Sequence, residues 1–210
     1  MTLTPSRGFF LTIEGIEGAG KSTLASALAE RLSLAGREVI VTREPGGTPT
    51  GDRIRQLLLE SREAISNRAE LLLFEAARAQ HVDEVIAPAL ARGAVVICDR
   101  FADSSIAYQN SARGIDSDSV RGLNAFATGG LTPDLTILLD LNVETGLARQ
   151  RSVDRISSEG LAFHRSVRQG YLAIAEAEPE RVCVIDATYP FAAVLQRAAD
   201  ALQKALAEVQ

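Results

Sequence analysis

Five short apolar, β-branched runs recur along the chain: FFLTIE at 9–14, EVIVTR at 38–43, AVVICD at 94–99, LTILLD at 135–140 and RVCVID at 181–186. Each is apolar throughout instead of alternating, the pattern of strands covered on both faces. Helical patterns fill the intervals, at 20–35, 50–61, 67–91, two shorter stretches around 102–128, then 143–152, 159–177 and 190–209. Asn67 followed by Glu70 reads as a capping box, and Asn142 precedes the helix at 143. Gly36 and Gly93 fall where helices should stop, and Pro88 kinks or ends the long one. Alternation of this kind predicts an α/β fold with a parallel sheet and helices on both faces. No repeat or linker breaks the pattern, so residues 1–210 read as one domain.

In such sheets a ligand lies beyond the carboxyl ends of the strands. Functional residues are therefore expected from Gly15 onward, from Arg43 onward, from Asp99-Arg100 onward, and after Asp140 and Asp186. GIEGAGKS, Gly15 to Ser22, matches G-x-x-x-x-G-K-[ST] between a strand and a helix. Backbone amides of such a loop and of the helix start point at an anion, and the glycines allow close approach. Lys21 then reaches the β- and γ-phosphates and Ser22 ligates magnesium. ATP or GTP follows as ligand. The N-K-x-D and D-x-x-G motifs of GTPases and the L-S-G-G-Q run of transporter ATPases are missing from the sequence.

Composition narrows the partner. The chain has 210 residues, 46% hydrophobic and 23% charged, with a net charge of −5. Gripping long nucleic acid by counterion release calls for a basic protein, so positive potential here belongs inside a site. Arg43, Arg55, Arg78, Arg100 and the run Arg149, Arg151, Arg155 supply it, and that many cations around one cleft need a second anion. A nucleoside monophosphate fits. Its phosphate, with a second pKa of about 6, is already a dianion near neutral pH and needs no general base. The obstacle is repulsion: two unit charges about 4 Å apart repel by roughly 4 kcal/mol at an effective dielectric of 20. Arginines and magnesium offset it and stabilise an in-line transfer. His81 and His164 lie on helical patterns and read as non-catalytic. Cys98 and Cys183 sit in strand runs and read as free core thiols of a reducing compartment. Neither an export signal nor a membrane-length apolar run is visible, so a cytoplasmic protein is expected.

Taken together, FLTIEGIEGAGKST, TREPGGT, LLLFEAARAQ, DRFADSSIAYQ, PDLTILLDL and VIDAT resemble the thymidylate kinases, which phosphorylate dTMP to dTDP with ATP. The resemblance implies a P-loop nucleoside-monophosphate-kinase-like fold with a five-stranded sheet. It assigns ATP to Gly15, Ile16, Glu17, Gly18, Ala19, Gly20, Lys21, Ser22, Thr23 and Arg149. Arg43, Arg55 and Arg100 look like the clamp on the dTMP phosphate. Phe74 would stack on thymine, Arg78 would bond its carbonyl edge, and Ser105 and Gln109 would read the remaining edge. Tyr108 would lie under the deoxyribose, Glu17 near its 3′-hydroxyl, and Asp99 would organise magnesium with Ser22. Residues 149–159 resemble a lid. The phosphate loop lacks the arginine of one family branch, so this chain looks like the bacterial branch whose arginine comes from the lid. Arg155 is the first choice, with Arg151 four residues before it and on the same side if the lid is helical. Lys21, Asp99 and Arg100 complete the catalytic set. Relatives are dimers, and the 67–91 helix is the expected interface. Phe101 stands where many relatives have Tyr or His, and Ser105 where some carry Asn. Two other readings remain open from residues alone: a kinase for a different monophosphate or a deoxynucleoside, and a nucleotide-gated module that transfers nothing.

Overall fold

The structure, a computed structural model, describes residues 8–61, 63–150 and 154–209. Five strands form one parallel sheet: β1 (Phe9–Glu14), β2 (Val39–Arg43), β3 (Val95–Asp99), β4 (Leu135–Asp140) and β5 (Val182–Asp186). Each falls within a residue of its predicted run. Their order is β2-β3-β1-β4-β5. The central β1 has β3 on one side and β4 on the other, which is the switch point where such sheets open a crevice. In the register, Asp99 is level with both Ile13 and Arg43. The last residues of β2 and β3 thus lie level with the end of β1, one residue short of its last, Glu14.

The helices are α1 (Lys21–Leu34), α2 (Pro49–Glu60), α3 (Asn67–His81), α4 (Ala87–Ala91), α5 (Ala102–Ser105), α6 (Ser117–Thr128), α7 (Val143–Arg149), α8 (Leu161–Ala177) and α9 (Phe191–Val209). Alternate residues of the strands face opposite layers. Phe9, Leu11, Ile13, Val95 and Ile97 join Leu24 and Leu28 of α1, Val167 of α8 and Val194 of α9 in the main core. Phe10, Val96 and Cys98 meet Val82, Ile86, Ala89 and Phe101 in a smaller one, where the Phe10 and Phe101 rings pack edge to face at 4.9 Å.

Several expectations need correction. The 67–91 pattern is one helical run but not one α-helix. A π-helical segment, Val82–Ile86, separates α3 from α4, and the Ala87 N–H reaches back to Val82. Pro88, which has no N–H to donate, follows at once. A second π-helical segment, Ile106–Ala112, continues α5. The α3 cap is Ser66, whose hydroxyl accepts from Ala69 N–H at 3.4 Å, so Asn67 is not the cap and Glu70 is free for another task. Asn142 does cap α7, taking the N–H groups of Glu144 and Thr145. The two edge strands are not covered on both faces: Val41 of β2 and Val184 of β5 are half exposed, because an edge has a neighbour on one side only. Cys183 is consequently half buried while Cys98 is core, and neither is bonded in a disulfide.

One close approach fixes the loop between β1 and α1. Gly18 has φ +71°, and a Cβ there would lie 1.9 Å from the Gly146 carbonyl oxygen. A Cβ on Gly146 would lie 2.5 Å from the Glu17 carbonyl oxygen and 2.9 Å from Ile16 Cδ1. The loop therefore rests directly on α7. Glycine inside a helix costs about 1 kcal/mol relative to alanine, so Gly146→Ala in open space would stabilise the protein. Here it should destabilise by about 1–3 kcal/mol through overpacking. Thermal melting distinguishes the two, and a raised midpoint would mean that the loop does not bear on α7.

Candidate active site

The loop enters α1 through Gly20, a left-handed N-cap with φ 96° and no side-chain hydrogen bond. The first amides of α1 are thus left uncovered by any cap side chain, as an anion site requires. Lys21 folds back, and its Nζ donates to the carbonyls of Gly15 at 3.0 Å and Ile16 at 2.9 Å. Burial, and then the charge of Arg100, pushes its ammonium down to about 8. An anion at the loop would push it back up. Beside it, the Ser22 hydroxyl donates to Asp99 Oδ2 at 2.5 Å, tying α1 to the end of β3.

A cleft of about 560 Å³ opens over these strand ends. Glu17, Gly18, Gly20, Lys21, Ser22 and Thr23 line it from the loop and α1, joined by Asp99 and Arg149. Arg43, Arg55, Phe74, Arg100, Ser105, Tyr108 and Gln109 line it from the rest of the chain. Not every expected residue reaches it. Ile16 and Ala19 bury their side chains in the main core, and Gly15 backs onto the Leu139 carbonyl. Arg78 and Arg155 are engaged elsewhere. Arg151 lies outside the described residues.

Arg100 is positioned by unusual backbone. Its φ of 72° is left-handed, rare for a residue with a side chain, and costs on the order of 1 kcal/mol. The turn is held from below. Arg100 N–H donates to Ile13 O at 3.0 Å, and Phe101 N–H donates to Glu14 Oε1 at 2.7 Å. Glu14, fully buried, also accepts from Ser104 and Tyr171 hydroxyls at 2.7 Å each. Burial and the charge of Asp103 lift its carboxyl to about 7. So anchored, Arg100 donates to Glu17 Oε1 at 3.0 Å and to the Tyr171 hydroxyl at 3.0 Å. It also stacks 5.0 Å over the Tyr108 ring, while the Tyr108 hydroxyl donates to Glu17 Oε1 at 2.6 Å.

Two further guanidinium groups converge on the same cleft. Arg43, at the end of β2, keeps 61% of its side chain exposed, with Asp52 4.0 Å away. Arg55, on α2, donates to Pro45 O at 2.9 Å; burial and the charge of Arg43 push it down. Like charges so arranged favour an anion between them.

Arg78 is not on the cleft wall. It is 1% exposed and donates to Glu44 (2.8 Å), Glu75 (2.8 Å), Ser105 (3.0 Å), Asn124 (2.6 Å) and the Phe101 carbonyl (3.1 Å). A helical arginine four residues from Phe74 shares its face, but that face packs against other elements here. Arg155 is likewise withheld. Its N–H and Nε donate to Leu59 O (3.1 Å) and Leu58 O (2.7 Å), unpaired carbonyls at the end of α2. Its NH2 reaches Glu70 at 2.7 Å. Residues 155–158 form turns, not a helix; the expected alignment of Arg151 with Arg155 falls on residues outside the described ones.

Glu14, Glu44, Glu70 and Glu75 are the residues that sequence reasoning missed. Glu70 is 1% exposed and accepts from Gln109 at 3.0 Å, from Arg113 at 3.2 Å and from Arg155. For three of them a signal was available: Glu14 in TIEG and Glu70 and Glu75 in NRAELLLFEAARAQ are carboxylates inside apolar stretches and need buried partners; Glu44, in the turn TREPGGT, had none.

Comparison with known proteins places the geometry. The sequence model of one family, described as Thymidylate kinase, matches residues 13–198. A thymidylate kinase of Pseudomonas entomophila is 53% identical over 205 residues, covering 96% of this chain and 97% of the relative. One of Deinococcus radiodurans is 53% identical over 188 residues, covering 88% and 91%. A crystal structure of thymidylate kinase from Ehrlichia chaffeensis superposes with a TM-score of 0.78 at 34% identity, covering 93% of this chain and 99% of that one.

Two substitutions test the buried charges. Arg78→Ala strands Glu44 and Glu75 and should cost about 3–5 kcal/mol in chemical denaturation, whereas Arg43→Ala on the exposed rim should stay within about 0.5 kcal/mol. Equal costs would refute the buried network. Glu14 is raised, from 4.5 to about 7, so its contribution is complete below the unfolded value and fades as pH climbs through 7. Glu14→Gln should therefore gain on the parent protein by roughly 2 kcal/mol between pH 5 and 8.5. A pH-independent difference in melting would contradict this.

Proposed function

The chain belongs to the thymidylate kinase family, and from that premise we propose how its cleft performs the ATP-dependent phosphorylation of dTMP to dTDP, on the route to dTTP. The observation that carries the reading is the shared cleft. A phosphate loop with Lys21 and a set of arginines with aromatic neighbours line the same 560 Å³, so a donor and an acceptor phosphate can meet end to end.

The loop amides and Lys21 hold the ATP phosphates, and Arg149 serves the adenine end. Arg43, Arg55 and Arg100 clamp the dTMP phosphate. Phe74 stacks on thymine; Ser105 and Gln109 face its polar edge, with Arg78 behind Ser105 holding that hydroxyl in place. Tyr108 lies under the deoxyribose, and Glu17 sits near the sugar 3′-hydroxyl. The acceptor is a dianion, so no side chain removes a proton; the protein's contribution is orientation and charge compensation. Arg155 supplies the lid charge at transfer by leaving Glu70, and Arg151 adds to that charge.

The site also fits magnesium. Ser22 hydroxyl and Asp99 carboxylate are hard oxygen donors already in contact. No cluster of three or more His, Cys, Asp or Glu that could cage a metal occurs among the described residues. Magnesium suits such a sparse site because substrate phosphates and water complete its shell. When bound, it offsets the charge of the ATP phosphates.

The chain works as one domain whose lid spans about 149–159. It pairs as a homodimer through the α3 side, where Leu72 is 54% exposed and Phe126 of the adjacent α6 is 86% exposed. A cytoplasmic setting accords with two free cysteines, and no helix among the described residues is long and apolar enough to cross a membrane.

A coupled assay of ADP formation should show turnover with dTMP well above that with dUMP, dCMP or dGMP, and none with thymidine. Equal rates on the purine monophosphate would defeat the thymine pocket. Transfer to thymidine would defeat the proton-free mechanism.

A further inference from the structure

His164 is the one histidine that touches the phosphate loop, and its environment is not that of a space-filling ring. It sits in the first turn of α8, 0% exposed. Neither ring nitrogen makes a hydrogen bond, and Oε2 of Glu17 is also without one. These groups face each other: His164 Nδ1 lies 3.3 Å from Glu17 Oε2, within ion-pair distance but outside hydrogen-bond alignment. Buried polar atoms left unpaired cost free energy, and a phenylalanine would fill the space without that cost. Meanwhile Oε1 of Glu17 is fully engaged, accepting from Arg100 at 3.0 Å and Tyr108 at 2.6 Å.

We propose that His164 is a positioning residue for the acceptor site, a reserve donor that takes up the Glu17 carboxylate when a substrate phosphate draws Arg100 away. This rests on the reading of Arg100 as part of the dTMP clamp. Arg100 cannot serve Glu17 and a phosphate dianion equally well. Losing it would leave the Glu17 carboxylate, whose Oε2 is buried, with one hydroxyl bond, so Glu17 competes with the substrate for Arg100. A donor from His164 to the idle oxygen removes that competition and keeps Glu17 ionised beside the sugar. The ring also faces backbone of Ser157 and Glu159, so the same residue joins the phosphate loop to the C-terminal end of the lid.

The surroundings single out Glu17 as the ring's partner. Tyr108 is committed to Glu17; Arg113 is committed to Glu70 and Glu159 and stacks over Phe163. Asp154 accepts the N–H groups of Ile156 and Ser157. On α8 itself, Arg165 pairs with Glu144 and Arg168 with Asp140. Lys21 and Arg100 act on Glu17 from the cleft. Burial works to lower the His164 pKa, but the carboxylate of Glu17 outweighs it and the net shift is upward. The protonated ring, with a donor on each nitrogen, is therefore favoured below that raised value and lost as pH rises through it.

The test is steady-state kinetics of His164→Phe and His164→Gln at saturating ATP from pH 6 to 9. His164→Phe should raise the KM for dTMP about tenfold, the scale of one lost charge-assisted hydrogen bond, with kcat changed less than about threefold. The parent KM for dTMP should climb on the alkaline side, and His164→Phe should lack that climb. His164→Gln, which retains a donor, should keep a low and flat KM. A KM and pH profile in His164→Phe identical to the parent's would overturn the proposal, as would a His164→Gln variant equally impaired. If His164→Phe does not fold, nuclear magnetic resonance of the unsubstituted protein decides. The chain has only two histidines, and addition of dTMP should raise the titration midpoint of the His164 ring; an unmoved midpoint overturns the proposal. Failure of the parent enzyme to phosphorylate dTMP would instead overturn the functional reading itself.

Discussion

Guanidinium groups crowded into one cleft repel each other when no ligand lies between them, and the rest of the structure is arranged around that fact. Carboxylates stand behind them. Arg100 leans on Glu17, Arg78 on Glu44 and Glu75, Arg113 and Arg155 on Glu70, and Arg43 lies near Asp52. In a chain with a net charge of −5, every one of these bases has an acid beside it; Arg43 and Arg100 still line the cleft, whereas Arg78, Arg113 and Arg155 lie outside its lining. Pairs of this kind contribute little net stability when buried. What they supply is position. A guanidinium already oriented by a carboxylate loses less freedom when it meets a phosphate.

The strands and the phosphate loop were legible because their signals are local. A run of β-branched residues, a glycine at a left-handed position and a lysine after it each report on a few neighbouring residues. Strand boundaries were accordingly right to within a residue, and the loop's fold followed its motif. Coverage of the strands was misjudged because sequence does not say which strand is an edge; β2 and β5 read like β4 yet have one neighbour each. The π-helical segments were invisible for a similar reason. An extra residue in one turn changes the facing of side chains without changing composition, and it is the segment Ile106–Ala112 that brings Tyr108 and Gln109 to the cleft.

The candidate site was legible as a list of residues and much less so as a geometry. Arg43, Arg55, Arg100 and Phe74 followed from their positions after strands or on one helix face. Arg78 was named on the same grounds and Arg155 on the family resemblance, but both are drawn off by partners far away in sequence: Glu44 is 34 residues from Arg78, and Glu70 is 85 from Arg155. Whether an arginine points at a ligand or at a buried acid depends on such partners, and no spacing rule contains them. The converse also holds. Glu70 reads in the sequence as the last residue of a capping box, but the cap is Ser66, and only the packing of α3 against Gln109 and Arg113 reveals its role.

Glu70 therefore links the two ends of the proposed reaction. It orients Gln109, which lines the cleft where we propose the base to lie, and it holds Arg155, which belongs to the proposed lid. One carboxylate has two oxygens, and here Oε1 serves Gln109 while Oε2 serves Arg155. Any movement of Arg155 toward the phosphates leaves Oε2 to Arg113, already 3.2 Å away. The lid arginine can thus depart without stranding a buried charge, and Gln109 keeps its orientation while it does. On the opposite side of the cleft, Glu17 gives one oxygen to Arg100 and Tyr108 and keeps the other within 3.3 Å of the His164 ring. In both places a cation that must move is paired with a carboxylate that has a second cation or polar group in reach. Closing the lid and receiving the acceptor then become exchanges of partner instead of ruptures. That requirement explains why so many ionised groups are kept at the boundary between the core and the cleft.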